Sequence, residues 1–270
     1  MTRHCPTLTI RTMKTFIAAV LLAALTGFAH GEIKLETIEY KQGEVTCEGV
    51  VAYDTTVQGK RPGVLIVHQW KGLTAYERKR AEMLAGLGYA VLCADIYGKG
   101  VRADNPKDAA ALAGKYKGDR ALLRARVNAA LEQLKKLSMV DTKRTAAMGY
   151  CFGGTTVLEL ARSGADVAAV VSFHGGLNTP NAADAKSING RVLALHGADD
   201  PYVPALEVSA FEEEMRKANV DWQLVAYGGA VHSFTDWNAG GDNSKGAAYN
   251  EKADKRSWEA MKVFFAEVLK

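Results

Sequence analysis

Side chains of three complementary chemistries follow one another along the chain. They are a cysteine within Gly149-Tyr150-Cys151-Phe152-Gly153-Gly154, an acidic pair at Asp199-Asp200, and a histidine at His232. A thiolate is a strong nucleophile, an imidazole can take and return a proton, and a carboxylate can hold that imidazole in one tautomer. Each stands just beyond a short apolar run: RTAAMGY before Cys151, RVLALHG before the acids, WQLVAYGGAV before His232. A fourth run, GVLIVH, ends in His68-Gln69-Trp70. Taken alone, Cys151 reads equally as a small core residue in a glycine-rich turn. No C-x-x-C, no H-E-x-x-H and no cluster of histidine and cysteine at ligand spacing is present, so no metal site and no cofactor is expected.

The elements that must position these residues alternate along the chain. IKLETIEY and EVTCEGVVAYD, joined through Gln42-Gly43, have near period-2 patterning and predict an edge hairpin. Then come GVLIVH, the amphipathic TAYERKRAEMLAGLG, YAVLCADIYG, a polar Ala-rich stretch, and the helical DRALLRARVNAALEQLKKL. Strand-like and helix-like segments continue to alternate through VAAVVSFHGG and PALEVSAFEEEMRKAN to a last helix near AAYNEKADKRSWEAMKVFFAEVL. Apolar strands separated by helices imply an α/β fold with a mostly parallel sheet, an N-terminal antiparallel edge hairpin and helices on both faces. Residues 32–270 read as one such domain. In open sheets of this kind ligands bind beyond the carboxyl ends of the strands, where the reactive residues stand.

Nucleophile, then acid, then histidine is the chain order of the α/β-hydrolase arrangement. That order sorts the histidines, because His68, His174 and His196 all precede the acidic pair and His232 alone follows it. It also explains the glycines around Cys151. A strand that turns sharply into a helix brings the positions two before and two after its central residue into close approach, where only small residues fit. Gly149 and Gly153 occupy them, giving G-x-C-x-G, the thiol form of a nucleophile elbow. The sulfur would lie at a helix N-terminus, which favours the thiolate, and the N–H of Phe152 would be one oxyanion donor.

With these motifs the sequence resembles the dienelactone hydrolase family, cysteine hydrolases of α/β-hydrolase fold, over residues 35–269. The resemblance rests on GYCFGG, on D-P-Y-V-P beginning at Asp200, on G-A-V-H-S-F ending at Phe234, and on ADIYG at 94–98. It implies that Cys151 is the nucleophile, that His232 is general base and then acid, and that Asp200 rather than Asp199 orients the histidine. It also implies Trp70 as the second oxyanion donor and a small ester or lactone as substrate, cleaved through a thioester. Two positions depart from the family. Gln69 stands where its namesake enzymes carry a glutamate, so an activation scheme that needs that carboxylate is in doubt. Asp236 stands where they carry a substrate-binding arginine, so a carboxylate-bearing substrate is disfavoured unless Lys99 or Arg102 compensates. Trp70, Tyr97, Phe173, Tyr202 and Trp237 are candidates for an aromatic lining, or for ordinary packing.

The 270 residues are 48% hydrophobic and 24% charged, as in a globular chain. Residues 1–31 are expected to be a secretory signal, with Met13 as a possible start: Lys14 precedes an apolar segment ending in small residues, shorter than a bilayer span. Its removal takes Arg3, Arg11 and Lys14 but no acid, reducing the formal charge from +4 to +1, so no nucleic-acid footprint is expected. A periplasmic or secreted location follows, with no stable membrane association after cleavage. The remaining three cysteines, Cys47, Cys93 and Cys151, are an odd number, so at least one thiol stays free. Two other readings stay open: a same-fold acyl or peptide hydrolase, and a secreted noncatalytic thiol protein with a redox or binding role.

Overall fold

The structure, a computed structural model, describes residues 1–2 and 31–270. The expected signal segment therefore lies almost wholly outside the described residues. Among the described residues, no helix is long and apolar enough to cross a membrane.

Residues 31–270 form one compact unit. Strands β1 (Ile33–Gln42) and β2 (Val45–Asp54) make the expected hairpin, with its turn at Gly43-Glu44, one residue later than the sequence reading placed it. Gly43 has φ 56°, a left-handed conformation that glycine adopts without a Cβ clash. The chain continues through β3 (Arg61–Val67), α1 (Ala75–Ala85), β4 (Ala90–Ala94), α2 (Pro106–Gly118), α3 (Arg120–Lys135) and β5 (Val140–Tyr150). It ends with α4 (Phe152–Arg162), β6 (Ala169–Phe173), β7 (Arg191–Gly197), α5 (Ala205–Lys217), β8 (Trp222–Tyr227) and α6 (Glu251–Val268).

The eight strands form one sheet in the order β1-β2-β4-β3-β5-β6-β7-β8. The first two pairings are antiparallel and the rest parallel. Alternation along the central strands divides the core. Leu65 and Val67 face α3 and α4, against Val127, Leu131 and Val157. Val64 and Ile66 point to the opposite layer, which also holds Leu84 of α1 and Met261 and Phe265 of α6. Each such leucine or isoleucine is fully buried, and its truncation to alanine costs about 2–5 kcal/mol.

Register brings the carboxyl ends of the strands together. Val67 pairs with Gly149, Tyr150 with Phe173, Phe173 with Leu195, and Gly197 with Tyr227. The segments that follow β3, β5, β6, β7 and β8 consequently leave from one edge of the sheet. The polar stretch before α3 proves to be a helix of its own. Asn105 caps α2 through the Asp108 N–H, Pro106 occupies its first turn, and Asp119 closes it while capping α3 through the Leu122 N–H at 2.9 Å.

Candidate active site

The turn from β5 into α4 has the elbow geometry. Cys151 takes φ 55° and ψ −113°, a conformation that non-glycine residues hold only when their surroundings force it. A Cβ on Gly149 would overlap the Gly153 carbonyl, and one on Gly153 would overlap the Val67 carbonyl. Gly154 and Gly175 show a second close approach that sequence reasoning missed: a Cβ on Gly175 would lie 2.6 Å from the Gly154 carbonyl carbon. The loop after β6 thus packs tightly on the first turn of α4.

Cys151, His232 and Asp200 converge across 81 and 32 residues of chain. The His232 Nε2 lies 3.0 Å from the Cys151 Sγ, and its Nδ1 lies 2.8 Å from the Asp200 Oδ2. The Tyr202 N–H donates to the other Asp200 oxygen at 2.8 Å, fixing the buried carboxylate. Asp199 turns away and accepts the Gly229 N–H at 3.1 Å. Beyond His232, Ser233 takes φ 57°, and the His232 N–H and C=O are held by Gly246 and Ala248.

The electrostatics of the pair are reciprocal. Burial opposes charge on His232, but the sulfur of Cys151 and the Asp200 carboxylate outweigh it and push the imidazole up to about 10. Burial likewise pushes the Cys151 thiol up. The His232 charge, its hydrogen bond and the Phe152 N–H overcome that effect, and the thiol ends below its ordinary value. The geometry therefore favours a thiolate beside an imidazolium.

Behind the elbow stands His174, which the chain-order argument set aside. Its Nδ1 accepts the Cys151 N–H at 3.1 Å and its Nε2 meets the Thr235 Oγ1 at 2.8 Å. Burial, with the His232 charge beside it, holds His174 well below the ordinary histidine range, so it is neutral. His68 is also buried and neutral, donating from Nδ1 to the Gln69 carbonyl and accepting the Ile96 N–H at Nε2. His196 is buried on β7.

The loop after β3 is anchored by Glu77, whose role sequence reasoning also missed. Thr74 and Glu77 form a capping box at the start of α1. The Glu77 Oε2 accepts the Thr74 N–H at 2.8 Å, while its Oε1 accepts the Gln69 N–H at 3.1 Å. Next along the loop, the Trp70 N–H is donated to no oxygen of the described residues, and neither is that of Phe152. The Trp70 carbonyl accepts the Tyr97 hydroxyl at 2.9 Å, and the Tyr97 ring packs on His68, Phe152 and Tyr116.

The two residues that depart from the family pattern touch. The Gln69 Nε2 donates to the Asp236 Oδ2 at 3.1 Å. The two cations offered as compensation are engaged elsewhere. Lys99 is exposed and pairs with Glu39 and, at 4.0 Å, Glu48 on the hairpin. Arg102 donates to the Leu73 and Val101 carbonyls, with Asp95 at 3.7 Å. Neither makes a hydrogen bond or ion pair with Cys151, Asp200, His232, Gln69 or Asp236 among the described residues. Of the aromatic candidates, Phe173 is core, stacked on Tyr150, and Trp237 packs over Arg80. Tyr202 is 60% exposed, its ring centre 5.4 Å from that of His232 in an edge-on arrangement. Among the described residues Cys47 and Cys93 are buried free thiols: Cys47 accepts from Arg126 at 3.3 Å and Cys93 donates to the Glu77 carbonyl at 3.4 Å. No group of three or more candidate metal ligands occurs among the described residues.

A mostly parallel sheet carrying an elbow after β5, an acid after β7 and a histidine after β8 defines the chain as an α/β-hydrolase. The sequence pattern of the dienelactone hydrolase family matches residues 47–269. The chain belongs to that family, and is a dienelactone hydrolase-like hydrolase. Two solved structures are similar over 89% of this chain and the whole of theirs. One, described as m3DLH, is 44% identical with a TM-score of 0.86. The other, a dienelactone hydrolase-like promiscuous phosphotriesterase, P91, from metagenomic libraries, is 42% identical with a TM-score of 0.85. A putative carboxymethylenebutenolidase of Aquifex aeolicus is 27% identical over 240 residues, covering 87% of this chain and 99% of its own.

Proposed function

We propose that the protein hydrolyses uncharged esters or lactones through a thioester on Cys151. The observation that carries this reading is the unbroken contact from the Cys151 Sγ to the His232 Nε2 and from its Nδ1 to Asp200, at 3.0 and 2.8 Å. The thiolate attacks the carbonyl carbon, a C–S bond forms, and the carbonyl π pair moves onto oxygen. The Phe152 and Trp70 N–H groups are the proposed donors to that oxyanion, since neither has an oxygen acceptor of its own. The C–O bond to the alcohol then breaks, and the departing oxygen takes the Nε2 proton of His232. Water next gives a proton to His232 and attacks the thioester. Collapse expels the thiolate and restores the ion pair. Throughout, Asp200 keeps the imidazole in the tautomer that presents Nε2 to sulfur.

Selection for uncharged substrates rests on Asp236, an acid at the position where a substrate-binding cation would be needed for a carboxylate, with Lys99 and Arg102 held on other partners. The relative described as a promiscuous phosphotriesterase makes neutral phosphotriesters a further class for trial. The deciding experiment sets purified protein against aryl esters, neutral lactones, a dienelactone and a neutral phosphotriester, with Cys151→Ala as control. A burst of alcohol from the wild type and none from the variant is expected. Turnover that survives in Cys151→Ala would remove the thioester from the mechanism, and silence on every substrate would favour a noncatalytic thiol role. Export by cleavage of residues 1–31 is proposed alongside, supported by the apolar segment after Lys14. N-terminal sequencing of exported protein tests it, and a mature chain that retains the segment would refute it.

A further inference from the structure

We propose that His174 is a positioning residue that sets the separation of Cys151 from His232, acting as a strut between the elbow backbone and the loop that carries the histidine. The inference rests on the thiol-hydrolase reading of the site.

Both ring nitrogens of His174 are engaged, and in opposite senses. Nδ1 accepts the Cys151 N–H at 3.1 Å, a bond the same N–H shares with the Phe173 carbonyl at 3.0 Å. An acceptor at Nδ1 carries no proton, so Nε2 carries the ring's single N–H and donates it to the Thr235 Oγ1 at 2.8 Å. Thr235 lies three residues beyond His232. One imidazole therefore joins the main chain of the nucleophile to the segment of the general base.

The far end of the strut is itself fixed. The Thr235 Oγ1 lies 2.6 Å from the Tyr76 hydroxyl, and Arg80 donates to that hydroxyl at 3.2 Å and to the Thr235 carbonyl at 3.0 Å. Arg80 pairs with Asp254 on α6 at 2.5 Å, and Trp237 and Tyr249 complete the shell of that carboxylate. Around the imidazole itself stand the rings of His232 at 5.4 Å, Phe234 at 5.1 Å and Tyr150 at 6.0 Å. The side chain is 1% exposed. His174 also takes φ 40°, a left-handed conformation that costs energy in a non-glycine residue and persists where the surroundings impose it. The strained residue behind the nucleophile and the strained nucleophile are hydrogen-bonded to each other.

His174→Phe keeps a ring of similar shape and removes both hydrogen bonds. Small displacements of a reacting pair are costly, so kcat for an aryl ester is expected to fall on the order of 10- to 100-fold with KM little changed. The ultraviolet titration of Cys151 is expected to move toward the free-thiol value of about 8.5. His174→Asn, which offers an acceptor close to the backbone and tolerates positive φ, is expected to recover part of both. A folded His174→Phe with wild-type kcat and wild-type thiol titration overturns the proposal. Should that variant fail to fold, Thr235→Val decides. It removes the acceptor of the Nε2–H, together with the bond of the same hydroxyl to Tyr76, and is expected to lower kcat several-fold with KM held, and unchanged kcat and titration there would also overturn it. Cys151→Ala, assayed in parallel, separates the two levels, because turnover in that variant would refute the underlying thiol mechanism rather than the strut.

Discussion

Gln69 and Asp236, 167 residues apart, meet in one hydrogen bond: the glutamine Nε2 donates to the aspartate Oδ2 at 3.1 Å. Each separately departs from the family pattern, and their contact makes the two departures one change. A glutamine there donates to the acid and bridges the loop after β3 to the loop after β8, whereas a glutamate would set two carboxylates against each other. Asp236 has no cationic partner within ion-pair distance among the described residues. Reversing it should invert the charge preference of the site. A unit charge several ångströms away at an effective dielectric near 20 is worth about 2–4 kcal/mol. Asp236→Arg is therefore expected to raise the ratio of kcat/KM for a carboxylate-bearing lactone over a neutral ester by at least about tenfold. Competition assays on the two substrates measure it, and an unchanged ratio would show that Asp236 does not face the acyl group.

The ion pair predicts its own pH window. His232 is raised to about 10 and Cys151 is lowered, so the thiolate and imidazolium coexist between the depressed thiol value and about pH 10. Acid removes the thiolate and base removes the imidazolium. Because one proton is shared, both limbs belong to the pair rather than to either residue. The rate of Cys151 alkylation by a neutral haloacetamide should stay high well below the free-thiol range, about 8.5. A single rise centred on that range would count against a preformed pair.

Asp200→Asn should leave the fold intact and impair the site. An asparagine presents either an oxygen or an amide N–H to the His232 Nδ1, and the N–H choice imposes the wrong tautomer. The loss of the acid also removes a charge that supports the imidazolium. In triads of this geometry the exchange costs up to about 10⁴-fold in kcat. A loss of at least about 100-fold is expected here, with thermal unfolding shifted by only a few degrees. Full activity would place the orienting role elsewhere.

The fold was legible in the sequence because its signals are local. The apolar runs ending at Val67, Tyr150, Gly197 and Tyr227 mark strands, and G-x-C-x-G marks the elbow. T-x-x-E at Thr74 is a local helix-start pattern, but the second oxygen of Glu77 reaches back to Gln69 through a loop that no spacing rule describes. His174 was hidden for a related reason. Chain order identifies which histidine follows the acid, while the packing that puts another against the Cys151 N–H depends on the Gly154–Gly175 approach. The helix α2 was missed because its Asn-Pro start precedes a run rich in alanine and lysine with a weak apolar stripe. Lys99 and Arg102 could be placed near the loop by register, but their partners Glu39, Glu48, Leu73 and Val101 come from separate segments of the chain.

Glu77→Gln tests whether the capping box also supports the proposed oxyanion donor. The carboxylate is fully buried and accepts from the Gln69 N–H, the Thr74 N–H and the Thr74 hydroxyl. A glutamine keeps one acceptor oxygen and replaces the other with an amide nitrogen, which must abandon either the helix cap or the Gln69 N–H. Abandoning the cap costs about 1 kcal/mol of stability with little effect on turnover. Abandoning Gln69 releases the peptide that precedes the Trp70 N–H, and the loss of one oxyanion donor is worth about 3 kcal/mol in the transition state, roughly 100-fold in kcat. The two bonds to Thr74 outnumber the one to Gln69, so the oxygen is expected to stay with the cap. Glu77→Gln should therefore unfold within a few degrees of the wild type while kcat falls between tenfold and 100-fold with KM nearly constant. A variant that loses stability but keeps kcat would show that the loop after β3 holds its shape without Glu77.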